Sequence, residues 1–181
     1  GATAGLILSI MFSAVSLAGE KIATSAGLSY AAQIDPISGV QTPIVSQILY
    51  LFLIMIFLTV DGHLTALRVL IESYDLVPIG TLPLPSALIE GGMAASGSMF
   101  LNASIIMLPV VIIILLINVS IGIITRAAPQ LNLFSFGFPM TMLGAFIILY
   151  LSISNFGYSF TDLVKSSLDH LMSTIESLSN G

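Results

Sequence analysis

Three ionisable side chains stand where apolar runs stop. Glu20 follows residues 2–18, and Asp61 and His63 flank Gly62 behind residues 44–60. Two carboxylates and an imidazole in such places have the makings of a proton relay, because an ionisable group at membrane depth is costly and is kept for function. The plainer reading is that Glu20, Asp61 and His63 are polar helix-end residues, with Asp61 or Gly62 capping the next helix, and the helix-start signals favour it. His63 makes no metal site by itself, since the other histidine is His170, far along the chain. The stretches GLILS and GGMAASGS lack the Gly-Lys-Ser/Thr signature of a phosphate loop. No catalytic residue, metal site or cofactor is expected, and the chain is read as a protein other than an enzyme.

The elements that must position these residues are apolar. Of 181 residues, 56% are hydrophobic and 7% charged, and the mean hydropathy is +1.09. A soluble domain carries roughly 25% charged residues, so this surface must face lipid or other apolar protein. Four basic residues make no nucleic-acid footprint, and the absence of cysteine excludes a disulfide framework. Without a basic segment ahead of residues 2–18, a signal peptide is not expected there, and further sequence is expected before Gly1.

Residues 2–18 and 44–60 are span candidates, with Pro43 placed for a first helical turn. Between them, residues 27–43 hold two glycines, two prolines and an Asp-Pro turn. Irregular backbone at membrane depth survives only inside protein or against a water-filled cavity, so this loop needs protein around it if it lies deep. A shorter helix is expected over 64–76, and the prolines of VPIGTLPLP, residues 77–85, make a stiff turn. Residues 91–125 carry no charge. They read as helices at 86–107 and 109–126, or as one long helix kinked at Pro109. Gly91, Gly92, Ala94, Ala95 and Gly97 form a small-residue face for close helix packing. Residues 138–156 make another span candidate. In the tail, Phe160, Leu163, Val164, Leu168, Leu171, Met172, Ile175 and Leu178 recur at three and four, with Asp162, Lys165, Asp169 and Glu176 opposite. This amphipathic helix is expected to lie at an interface or pack on partners. The apolar runs lack the strict alternation of a membrane barrel, so the fold is expected to be all-α.

Five stretches follow in order: GE at 19–20, GLSYAAQIDP at 27–36, FLTVDGHL at 57–64, LVPIG at 76–80 and RAAPQLNLFSFGFP at 126–139. Together they resemble the FliR family of flagellar biosynthetic proteins, subunits of the bacterial flagellar type III export gate, with injectisome gate subunits as relatives. The resemblance covers Gly19 to about Phe160. It implies bent helical hairpins resembling a fusion of a FliP-like part, residues 1–98, with a FliQ-like part, residues 99–181. It also implies FliP, FliQ and FlhB as partners in a hetero-oligomeric gate of the inner membrane, through which unfolded flagellar proteins leave the cytoplasm.

Two residue sets carry over from the resemblance. Gly27, Leu28, Ser29, Tyr30, Ala31, Ala32, Gln33, Ile34, Asp35 and Pro36 match the family's pore plug. Ala128, Pro129, Gln130, Leu131 and Asn132, beside Arg126, match the turn of the FliQ-like hairpin at the cytoplasm-facing end, where FlhB wraps the gate. The rival reading is a proton-coupled or small-solute transporter built on Glu20, Asp61 and His63, since broken helices and midplane polar groups also mark transporters.

Overall fold

The computed structural model describes residues 2–28, 44–76, 85–128 and 136–179, with the backbone alone for 76, 85–90 and 177–179. Among these residues the fold is all-α, without a strand. It comprises α1 (Ala2–Ser25), α2 (Ile44–Thr59), α3 (Gly62–Leu76), α4 (Pro85–Ala127), α5 (Phe138–Leu151) and α6 (Ile153–Ser179). The expected plug residues from Ser29 onward, the Pro43 helix start, the stiff turn through residue 84 and the hairpin turn from Pro129 to Asn132 lie outside the described residues.

Helix α1 is the inner helix. Met11, Ala14, Val15, Ala18, Ile22, Ala23 and Ala26 recur at helical spacing and are all buried. Most are small, which lets neighbouring backbones come close where packing, rather than escape from water, must hold helices together. Helix α2 returns antiparallel along one side: Gly19 faces Ser46, and the Phe12 ring lies 5.8 Å from that of Phe57. Helix α4 lies on another side and runs parallel to α1, with Ile7 and Ala95 sharing a crevice near one end and Ser25 meeting Asn118 toward the other.

The span expected at 2–18 is longer than its apolar run. Helix α1 has 24 residues and continues through Glu20 and Lys21 to Ser25. Glu20 therefore lies within the helix and does not end it, which corrects its assignment as a helix-end residue. Both side chains are exposed, so the helix carries a charged pair without burying it.

Residues 85–127 form one helix with Pro109 inside it. Proline removes one backbone bond, but a full break would strand several polar groups in an apolar setting, so continuing the helix is the cheaper course. Ala103, Ile106, Val110, Ile114 and Ile121 make its buried stripe. At 43 residues α4 is about 64 Å long, against about 30 Å of bilayer core. The helix also passes through residues 98 and 99 without interruption.

Among the described residues two helices are apolar and long enough to cross a membrane, and two bent pairs make further candidate spans. Helices α2 and α3 bend by 65°, and α5 and α6 by 59°. The run expected at 138–156 thus stops at Leu151 and turns at Ser152. The amphipathic tail corresponds to α6, which buries Phe160, Leu163, Val164, Leu168, Leu171 and Ile175 and leaves Asp162, Lys165, Asp169 and Glu176 exposed. It packs inside this chain, with Leu171 and Ile175 clustering with Val69 of α3 and Ile7 of α1. Much apolar surface stays outward, including Ile112, Leu115, Leu116 and Ile123 on α4 and Ile48, Leu51 and Met55 on α2. An area of this kind needs lipid or protein over it.

Candidate functional site

The end of α1 is built to stop the helix at one residue. Gly27 has φ of 77°, a left-handed conformation that glycine adopts without a Cβ penalty. Its N–H donates to the Thr24 carbonyl at 3.1 Å, and the Ala26 N–H donates to that of Ile22 at 2.9 Å. This is the geometry of a glycine-terminated helix, in which the residue after the glycine packs back on the last turns. Leu28 does so, lying half-buried against the main apolar core. Of the expected plug set, Gly27 and Leu28 are the described members, and they form its root.

A polar clasp reaches this root from two other helices. Asn118 Nδ2 donates to the Ser25 carbonyl at 3.3 Å, and Asn118 Oδ1 accepts from Thr141 Oγ1 at 2.9 Å. A backbone carbonyl can only accept, so the amide orientation follows from its partners. The Thr141 hydroxyl also lies 3.1 Å from the Gly137 carbonyl and shares its single proton between the two acceptors. Thr141 is 5% exposed. The hairpin holds this level by close packing, since a Cβ on Gly144 would sit 2.7 Å from Ile117 Cδ1.

The second predicted set begins at the same end. Because α1 and α4 run parallel and Ser25 is level with Asn118, Arg126 lies eight residues, about 12 Å, further along α4. Arg126 is exposed in the last turn, where a cation suits the helix dipole. Ala128 closes the helix with its N–H on the Ile124 carbonyl at 2.8 Å.

Asp61 and His63 lie elsewhere. Gly19 is level with Ser46, and Asp61 is fifteen residues beyond Ser46 along α2, about 22 Å away. Glu20 is thus separated from Asp61 and His63 by most of the length of α2, and the three form no relay. Asp61 makes the α2–α3 corner with φ of 55°. Its carbonyl accepts the Thr65 N–H at 3.0 Å, the first bond of the next helix. Gly62 has no room for a side chain, since a Cβ would lie 2.6 Å from the Phe57 ring. His63 Nδ1 and His170 Nε2 are buried without a hydrogen-bond partner. Among the described residues no group of three or more His, Cys, Asp or Glu could hold a metal.

The small-residue face on α4 is divided. Ala95 is buried and a Cβ on Gly91 would lie 3.3 Å from Thr174 Cγ2, while among the described residues a Cβ on Gly92 or Gly97 would meet nothing within 4 Å. Sequence reasoning passed over Ser46, Asn118, Thr141 and Gly144. The available signal was a pair of amides, Asn102 and Asn118, in the 35 uncharged residues from 91 to 125. An amide, a hydroxyl and two carbonyls cannot do acid–base work at neutral pH, but they can hold three helices in register.

The sequence profile described as bacterial export proteins, family 1, matches residues 1–167. The chain is 37% identical over 142 residues to the flagellar biosynthetic protein FliR of Pectobacterium carotovorum subsp. carotovorum, covering 78% of this chain and 54% of that protein. It is 35% identical to FliR of Escherichia coli K12 over the same shares. With FliR of Bacillus subtilis 168 it shares 32% identity over 85% of this chain and 61% of the relative. The chain spans about half the length of the first two relatives.

Proposed function

The chain belongs to the bacterial export proteins, family 1, and on that ground we propose that it is a core subunit of the flagellar type III protein export gate. Its helices form part of the channel wall through which unfolded flagellar proteins pass, and the loop beginning at Gly27 closes the pore at rest. The observation that carries this reading is the match over residues 1–167 together with relatives that are flagellar biosynthetic proteins. The geometry suits it: the loop starts from a capped, half-buried and clasped helix end. Leu28, Tyr30 and Ile34 supply an apolar seal, and the small residues among them pack closely without a rigid lock.

Residues 1–98 act as a FliP-like part and 99–181 as a FliQ-like hairpin, with outward apolar faces covered by FliP, FliQ and lipid of the inner membrane. Arg126, Ala128 and the turn through Asn132 face the cytoplasm, where FlhB wraps the gate. The work is mechanical, so no catalytic residue or cofactor takes part. Purification of the tagged protein from native membranes in mild detergent tests this. A gate subunit brings FliP and FliQ with it in several copies each, whereas recovery alone or as a small homo-oligomer contradicts the reading.

A further inference from the structure

We infer that Asn118 is the positioning residue for the root of the closing loop: its amide ties the end of α1 to the α4–α5 hairpin. The inference rests on the reading of the segment after Gly27 as that loop.

Three observations carry it. The last carbonyls of a helix have no partner within it. At the end of α1 the Gly27 turn satisfies Thr24, and the Ser25 carbonyl takes its donor from a side chain 93 residues away. The same amide accepts from a hydroxyl on a third helix, and that hydroxyl sits on a residue only 5% exposed. Finally, Asn118 and Thr141 meet beside a close contact of the two helices, where Gly144 leaves space for Ile117. Although Asn118 keeps surface outside the fold, both ends of its amide are engaged inside the chain. In an apolar setting a polar group spends its hydrogen bonds on neighbouring helices. Because one amide holds both the Ser25 carbonyl and the Thr141 hydroxyl, a displacement of α5 along α4 is passed through Asn118 to the end of α1, so the hairpin and the loop root move together.

The absence of cysteine makes a direct test available. Leu28→Cys places a single thiol at the half-buried root, and its maleimide labelling rate in the intact complex in native membranes reports how often the root opens. Thr141→Val, which removes one interhelical hydrogen bond, should raise that rate about three- to five-fold, and Asn118→Leu, which removes both bonds of the clasp, should raise it at least as much. Thr141→Ser, which keeps the hydroxyl, should restore the original rate, and the double variant Asn118→Leu with Thr141→Val should not exceed Asn118→Leu alone. An unchanged rate in Thr141→Val, the near-isosteric change, overturns the inference even if Asn118→Leu fails to assemble. Loss of assembly without faster labelling in Thr141→Val overturns it equally. The rate reports the tether alone. Whether the loop closes a pore is read by ion leak after loop deletion, so either claim can fail while the other stands.

Discussion

The backbones of Gly19 and Ser46 touch. A Cβ on Gly19 would lie 2.5 Å from Ser46 Cα and 2.9 Å from its nitrogen and hydroxyl oxygen, and the Ser46 hydroxyl donates to the Ser16 carbonyl at 2.9 Å. This contact sets the spacing of α1 and α2 just before α1 delivers the chain to Gly27.

Gly19→Ala should therefore force the two helices apart and cost about 1–3 kcal/mol, as overpacking does in a filled core, with Gly19→Leu costing more. Gly97→Ala and Gly122→Ala meet nothing within 4 Å and should stay within about 0.5 kcal/mol of the parent. Thermal unfolding of the purified protein in detergent reads the difference. Equal losses at all three glycines would show that the Gly19 contact is not tight.

Asp61 takes a left-handed conformation, which Asn and Gly share at little cost and a β-branched residue does not. Asp61→Asn should leave stability and export close to normal, whereas Asp61→Val should lose about 1–2 kcal/mol. Glu20→Gln should likewise leave export intact, because Glu20 is exposed on α1 and distant from Asp61. Loss of export in Asp61→Asn at unchanged stability would instead support a proton-coupled role.

Phe160 is 0% exposed and joins α6 to α2, with its ring 5.6 Å from Phe52 of α2 and 5.9 Å from Phe156 one turn before it. Phe160→Ala should cost about 3–5 kcal/mol and make α6 sensitive to protease, while Lys165→Ala on the exposed face should change neither. Protection of α6 in Phe160→Ala would show that the helix is held elsewhere.

Some of this was legible in the residues. The three–four spacing from Phe160 to Ile175 located the packed face of α6, because the charged residues between them have only one side to face. What that face packs against was not legible, since an apolar stripe reads the same whether its partner is this chain or another. The end of α1 was misplaced at Glu20 because a charge was read as a helix boundary, when the stop is the left-handed Gly27. The bend at Ser152 has no proline or glycine to announce it. Its N–H still reaches the Ile148 and Leu149 carbonyls at 2.9 and 3.2 Å, so the chain turns there without losing a donor's partner. The Asn118 clasp depends on which helices are neighbours, and only the parallel course of α1 and α4 brings residues 25 and 118 together.

The central claim is that the loop after Gly27 seals a pore, and deletion of residues 30–34 tests it most directly. The root at Gly27 and Leu28 is left in place, so assembly should persist. Proton and small-ion leak across membranes carrying the assembled gate should rise well above that of the undeleted protein. Leak that stays at the parental level in a fully assembled gate would contradict the account.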